Sequence, residues 1–316
     1  MSKFYQRLTA QPVVNGYLSV DSFFFLSGFL VALGFQRASD KPKFPGSTSS
    51  SPPNAFYVIA LRLLRLLPLY IMVLLVYWQL QEWMIIPGPL SMSIKSPDDV
   101  CNKNWWTNLL FINNFYPHDG NLSDECLGWS WYLAVDMQLF IIALIPLTLL
   151  GFKDKGRKIA GLVIICIAIA ASIVVPFVLT YEYHLPANTN NSVGENTKLY
   201  NEEIYIKPYS RGGPYFIGIL IGYLFAKKVL AEPPRQLDNV PLIGKFALGA
   251  MMWICTGAMM IFCVYGFYSN NHYLEHGPWP KLTRSAYNGL ARSAWGLGLS
   301  WIVIACEWKW AGTVPD

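Results

Sequence analysis

The stretch Leu61-Arg62-Leu63-Leu64-Arg65-Leu66-Leu67-Pro68-Leu69-Tyr70 runs on without another charge to Leu80. A run of roughly 18 or more apolar residues is the length that a helix needs to cross a bilayer, so the stretch predicts a membrane span over 65–83. Two arginines stand at its mouth. Residues three apart share one helical face, so both guanidiniums are expected to point the same way. A guanidinium is never deprotonated in practice and forks toward phosphate or carboxylate. Beside hydrocarbon, Arg62 and Arg65 therefore serve either as headgroup anchors or as contacts for an anionic ligand.

The same pattern recurs outward from this stretch. The 316 residues are 53% hydrophobic and 14% charged, with mean hydropathy +0.33, against about 25% charged residues in ordinary soluble domains. Apolar runs fall at about 17–35, 65–83, 128–150, 159–179, 213–230, 246–267 and 288–306. The expected fold is all-α, a polytopic transmembrane helical bundle of about seven spans. No soluble domain or internal repeat interrupts it, so residues 1–316 read as a single membrane domain. The net charge of +5 then reports topology rather than nucleic-acid binding.

Charge sorts the connections into two sides. Segments 36–65, 151–158, 227–245 and 307–316 hold 14 of the 24 basic residues against six acidic ones. The positive-inside rule assigns them to the cytosol, and the short run Lys153-Asp154-Lys155-Gly156-Arg157-Lys158 weighs most. The N-terminus of this chain, with the 84–127, 180–212 and 268–287 loops, is then exterior or lumenal, in a plasma membrane or endoplasmic reticulum. Residues 36–56 read as a Ser- and Pro-containing cytosolic linker. Both N-x-Ser/Thr acceptors, Asn121 and Asn190, fall on exterior loops and are candidate glycosylation sites. Cys101 and Cys126 bracket the first of those loops, where an oxidising compartment sustains a disulfide. Cys166, Cys255, Cys263 and Cys306 lie in spans as small apolar filler. No Cys/His spacing fits a metal site, and residues 1–16 contain no apolar core of a signal peptide. The 84–127 loop and its flank are rich in rings (Trp105, Trp106, Phe111, Phe115, Tyr116, Trp129, Trp131, Tyr132). These form an interfacial belt or a lid over a pocket. The 180–212 loop is polar and Asn-rich and is expected to be partly disordered.

Two carboxylates lie inside spans, where an ionisable group needs a partner or a watery cavity. Asp21 sits about one turn into Tyr17-Leu18-Ser19-Val20-Asp21-Ser22-Phe23-Phe24-Phe25-Leu26-Ser27-Gly28, and Ser27-Gly28 permits close helix approach. Asp136 follows Tyr132 by one turn, with Gln138 nearby. Asp21 is either a structural acceptor for a neighbouring helix or a positioned functional group. The two carboxylates are candidates for a shared polar cavity as supporting catalytic residues. No nucleophile elbow, phosphate loop or dinucleotide fingerprint occurs in a suitable context. His118, His184, His272 and His276 all fall in exterior loops, where a solvated surface role is the ordinary one.

The residues also resemble a known family. Ser19 to Gly28 is similar to the "VD-x-FF-x-LSG" signature of the acyltransferase 3 family, and Arg62-x-x-Arg65-x-x-Pro68-x-Tyr70 to its "R-x-x-R-x-x-P-x-Y" element. Trp105 to Phe115, Cys126 to Gln138 and Tyr287 to Trp295 resemble its animal branch, which includes the nose resistant to fluoxetine proteins. The resemblance runs in order over essentially the whole chain. It implies a multi-pass membrane acyltransferase that moves an acyl group from cytosolic acyl-CoA to a hydroxyl of a lipid or carbohydrate acceptor. The implied partners are membrane lipids, acyl-CoA and that acceptor, with no metal and no nucleic acid. Arg62, Arg65 and Tyr70 would bind the donor on the cytosolic side. The family pattern also implies about ten spans and an earlier helix with a histidine as general base. The chain is expected to be short of that pattern at both ends. The alternative reading is a lipid or xenobiotic transporter or uptake accessory without catalysis, for which intramembrane carboxylates would line the path.

Overall fold

A computed structural model describes residues 7–41, 51–84, 97–117, 125–187, 197–230, 233, 241–266, 268 and 279–310. Among them every regular element is helical. The long ones are α1 (Tyr17–Asp40), α2 (Ala55–Met84), α3 (Pro97–Leu109), α4 (Trp131–Gly151), α5 (Lys155–Glu182), α6 (Pro208–Ala226), α7 (Leu242–Tyr265) and α8 (Lys281–Glu307). Short helical turns at Leu8–Ala10, Gln11–Val14, Gly128–Ser130 and Thr197–Tyr200, and a π-helical turn at Asn201–Tyr205, complete the list.

Glycines set the centre of the bundle. A Cβ built on Gly28 of α1 would lie 2.2 Å from the Tyr215 carbonyl oxygen of α6. One on Gly218 would lie 2.2 Å from the Phe25 carbonyl, and one on Gly222 2.3 Å from that of Phe29. The backbones of α1 and α6 therefore touch, as small residues allow inside a membrane, and the close approach expected of Gly28 is found. The two helices run parallel, tied by Asp21–Arg211 near one end and by Asp40–Lys227 at the other. Helix α4 lies parallel beside α1: Phe24 meets Tyr132, Gln36 Nε2 donates to the Leu147 carbonyl at 3.1 Å, and Gly151 abuts Ser39 and Pro52. Helices α5 and α7 run the other way, and α8 packs on α5, α6 and α7. Helix α2 is peripheral, with only Tyr70 and Leu74 buried among its described side chains. The two ends of the bundle are here called the disulfide end (Tyr17, Trp131, Glu182, Pro208, Lys281) and the linker end (Asp40, Ala55, Gly151, Ala226, Glu307).

The multi-pass helical fold expected from composition is the one found, with four adjustments. Among the described residues six helices are long and apolar enough to cross a membrane. The span expected at 213–230 is α6, which starts earlier, is 19 residues long and is mostly buried by its neighbours. A helix surrounded by protein selects small and polar residues for packing, so it is less apolar than a lipid-facing one. The linker of 36–56 shrinks, because α1 continues to Asp40 and α2 starts at Ala55. The 180–212 segment is not simply a polar loop. Residues 197–206 form helical turns whose Tyr200 and Ile204 bury against Leu185, with Leu179 and Leu199 packed around them. Asn121, Asn190, His118, His272 and His276 lie outside the described residues; His184 is described, in the turn after α5.

Candidate functional site

Arg62 and Arg65 do not stand at the mouth of a span. Helix α2 begins at Ala55, because the preceding Phe56 to Ala60 are themselves apolar, so the arginines lie seven and ten residues inside. At 3.6 residues per turn their side chains diverge by about 60°, and that is enough to separate their surroundings. Arg62 turns into the bundle. Its Nη2 donates to Asp136 Oδ2 and, at 3.3 Å, to Ser27 Oγ, which itself donates to Asp136 Oδ1 at 2.6 Å. The guanidinium also lies 4.3 Å above the Phe140 ring, and the phenol of buried Tyr215 stands beside the group. Arg62 and Asp136 are 18% and 9% exposed. They form a neutral, hydrogen-bonded pair that joins α1, α2 and α4.

This pair lies deep. About 22 Å of helix separates Asp136 from Gly151 at the linker end, and about 20 Å separates Ser27 from Asp40, at 1.5 Å per residue. The expectation that both arginines lie at the cytosolic face is thereby corrected: they lie near the middle of the bundle and toward its disulfide end.

Arg65 faces elsewhere. It is exposed and makes no hydrogen bond or ion pair with a described residue. It lines a groove of about 330 Å³ between α2, α4 and the disulfide loop, walled by Leu66, Leu69, Tyr70, Val73, Phe111, Leu127, Trp129, Ser130, Tyr132 and Leu133. The volume is at the small end of ligand pockets, and the pattern of apolar walls with few polar groups is typical of them. An unpaired guanidinium against such walls selects for an anionic or strongly polar group on an otherwise apolar ligand.

Asp21 is committed to structure. Arg211 Nη1 donates to its Oδ1 at 2.9 Å and Oδ2 at 3.0 Å, and both side chains are fully buried. Arg292 Nε stands 4.0 Å from Oδ2 and donates through Nη1 to the Ile204 and Ser210 carbonyls at 3.4 and 3.2 Å. Arg211 Nε donates to the Tyr205 carbonyl at 3.1 Å, and its guanidinium stacks between Trp131 and Tyr205. Asp21 and Asp136 thus pair with different arginines, Asp21 with Arg211 of α6 and Asp136 with Arg62 of α2. Sequence reading missed Arg211 as the partner because it lay in the segment read as a polar loop. Helix α6 opens at Pro208, so Arg211 and the Gly212-Gly213-Pro214 after it lie within its first two turns.

At the disulfide end, Cys101 and Cys126 are bonded as expected. The bond closes a buried polar network. Asn108 Nδ2 and Asn113 Nδ2 donate to Ser130 Oγ at 3.2 and 3.1 Å, Ser130 donates to the Leu127 carbonyl at 2.6 Å, and Asn113 Nδ2 also reaches Glu125 Oε2 at 3.3 Å. Burial raises the Glu125 carboxyl from 4.5 to about 8, opposed by the Asn113 hydrogen bond and by the charge of Lys207. Lys207, lowered by its own burial, donates to the Asn114 carbonyl at 3.0 Å over the Phe115 ring. Gln138 pairs with Asn114 and the Phe111 carbonyl rather than with Asp136. In the ring-rich segment Trp105, Trp106 and Trp129 are exposed, and Phe111 and Trp129 wall the groove. Among the described residues no group of His, Cys, Asp and Glu is placed to hold a metal.

Comparison with known proteins gives the family. The acyltransferase domain family matches residues 2–310. Nose resistant to fluoxetine protein 6 of Caenorhabditis elegans is 30% identical over 313 residues, covering 96% of this chain and 36% of that protein. Regulator of hypoxia-inducible factor 1, also of Caenorhabditis elegans, is 28% identical over 221 residues, covering 66% of this chain and 40% of its own length. The chain therefore spans less than half the length of these relatives. No solved structure matches it.

Proposed function

The chain belongs to the acyltransferase domain family, and on that premise we propose that it transfers an acyl group from acyl-CoA to a hydroxyl of a lipid or carbohydrate. The observation that carries this reading is Arg65, unpartnered among the described residues, on the wall of an open apolar groove on the flank of the bundle. The groove receives the acyl chain, and Arg65 meets the polar group at its head. Arg62 is already neutralised by Asp136, so its part is to hold α2 against α1 and α4. The nucleotide of the donor stays at the linker end, which the charge pattern assigns to the cytosol, and the acyl-bearing arm reaches the groove. In the transfer, the acceptor oxygen bonds the acyl carbon, the carbon–sulfur bond breaks, and the acceptor's proton passes to the thiolate. The protein acts as a multi-pass protein of the plasma membrane or endoplasmic reticulum, with Asn121 and Asn190 glycosylated on the exterior side.

Transport without catalysis is the weaker reading. It drew on intramembrane carboxylates lining a path, and both Asp21 and Asp136 are bound to arginines.

The test uses vesicles from cells expressing the chain and a photoactivatable long-chain acyl-CoA. Loss of one charge-assisted hydrogen bond is worth about 1.5–3 kcal/mol, so Arg65→Ala lowers specific crosslinking by about 10- to 100-fold, and Arg65→Lys keeps part of it. Wild-type labelling in Arg65→Ala defeats the role given to this residue. Absence of labelled acyl product from wild-type vesicles supplied with lipid and sugar alcohols defeats the activity.

A further inference from the structure

The outer face of α5 carries a second groove, which acyl transfer leaves unused. Its volume is about 440 Å³ and it is lined by Ile159, Leu162, Val163, Cys166, Ile167 and Ala170, none of which lines the groove at Arg65. These positions follow the i, i+3, i+4, i+7 spacing of one helical face. The buried residues Gly161, Ile165, Ser172 and Pro176 lie on the opposite face, where α5 packs on its neighbours. Ile159, Val163 and Ile167 are exposed, so the groove faces lipid. The small side chains of Cys166 and Ala170 lie along its middle, between Leu162 on one flank and Val163 and Ile167 on the other. It therefore runs with the helix axis. From Ile159 to Ala170 it extends about 16 Å at 1.5 Å per residue, the depth of one leaflet of a hydrocarbon core about 30 Å thick. That is the shape of a seat for one acyl chain.

Any phospholipid brings an acyl chain, so the end of the groove sets the choice. Lys155 and Lys158 stand four residues before Ile159 and Leu162, one turn nearer the linker end on the same side of the helix. Lys155 is exposed and Lys158 half-buried, and neither makes a hydrogen bond or ion pair with a described residue. The first turn of α5 contains no acidic residue. Asp154, which caps that turn, accepts from the Arg157 amide at 3.0 Å. Arg157, two residues before Ile159, is on the far side of the helix and lies 4.4 Å above the Phe152 ring. The positive end of the helix dipole adds to the two ammonium groups. The mouth of the groove is thus cationic, with no described side chain to match it.

We propose that this groove and the Lys155–Lys158 pair bind one anionic phospholipid of the leaflet at the linker end. One acyl chain lies along α5, and the two ammonium groups meet the headgroup phosphate. A zwitterionic phospholipid also fits the groove, but its own ammonium opposes the lysines and it gains less. The site does not depend on acyl transfer and survives the failure of that reading.

The experiment is photocrosslinking of the chain in phosphatidylcholine nanodiscs. They are doped with phosphatidylglycerol or phosphatidylcholine carrying the same diazirine-tagged acyl chain, and labelling is mapped to the peptide 159–170. Each lysine near the surface favours an anionic headgroup about five-fold. Two lysines bound the preference for phosphatidylglycerol at about 25-fold, and at least about five-fold is expected. Lys155→Gln with Lys158→Gln brings the ratio to about one. Arg37→Gln with Arg157→Gln removes as much charge from the linker end, where Arg37 lies in the last turn of α1, and keeps the ratio within about two-fold of wild type. Ala170→Phe fills the groove with both lysines in place and loses the preference, which a general attraction of charge would retain. Equal labelling of the wild type by the two probes overturns the proposal. So does an equal loss in the two double variants, or an undiminished preference in Ala170→Phe. Full competition by soluble glycerophosphoglycerol also overturns it, because the site would then belong to a free phosphate and not to a lipid.

Discussion

Two arginines one helical turn apart should respond in opposite ways to the same substitution. Arg62→Ala leaves the Asp136 carboxylate, 9% exposed, with Ser27 as its remaining partner. Removing one member of a buried ion pair costs about 3–5 kcal/mol, because the other charge stays behind uncompensated. Arg65 is exposed and unpaired among the described residues, so Arg65→Ala falls within about 0.5 kcal/mol of wild type. A chain of this size shifts its melting temperature by about 2–4 °C per kcal/mol. Arg62→Ala should therefore lower the midpoint of the detergent-solubilised protein by at least about 6 °C, and Arg65→Ala by no more than about 2 °C. The double variant Arg62→Met with Asp136→Leu removes both charges and fills the space. Such replacements are often neutral or stabilising, so it should recover most of the loss. The measurement is the midpoint of monodisperse protein remaining after a heating series, taken for all four proteins in one detergent. Equal midpoints for Arg62→Ala and Arg65→Ala, or a double variant no better than Arg62→Ala, would refute the assignment of Arg62 to the interior pair.

Other consequences are checked with the same preparation. Gly28→Ala puts a methyl 2.2 Å from the Tyr215 carbonyl, forces α1 and α6 apart and destabilises by about 1–3 kcal/mol; Gly34→Ala, where nothing lies within 4 Å, is the neutral control. Asp21→Asn leaves Arg211 and Arg292 facing each other without a counter-charge and should cost about 3–5 kcal/mol, visible as lost expression of folded protein. Glu125 gives a pH signature. Its folded pKa of about 8 lies above the usual 4.5, so the native state binds the extra proton and stability falls as pH rises from 4.5 through 8, then levels. Lys207 and Tyr70 are the titratable groups that face it. Glu125→Gln should flatten that slope, seen as melting midpoints that no longer decline between pH 4.5 and about 8, the window set by the two pKa values. Replacing Cys101 and Cys126 together by serine frees the loop that carries Glu125, and should cost about 2–4 kcal/mol.

Much of this molecule was legible from residue order. Long uncharged runs can only be satisfied as helices in lipid, which is why the spans were found to within a few residues at most ends. The small pair Ser27-Gly28 announced a close contact, and the two cysteines bracketing a loop announced their bond. The misreadings have one origin: hydropathy reports lipid exposure, not helicity. The start of α2 was read ten residues late because two charges seemed to mark a boundary, and α6 was displaced because a helix buried in protein need not be apolar. Arg211 went unseen for the same reason.

What the sequence by itself determined is the class of fold and the family, because burial in lipid and short motifs are properties of residues near each other in the chain. Only the tertiary structure decided which charge meets which. Asp21 found Arg211 across 190 positions, and Asp136 found Arg62 across 74. Those pairings left Arg65 without a partner among the described residues, on the wall of the groove. A one-turn spacing gives two arginines nearly the same place in sequence, but about 60° of rotation divides them between a neutral interior pair and the wall of an open groove. That division is set by the neighbouring helices, and so appears only when they are packed.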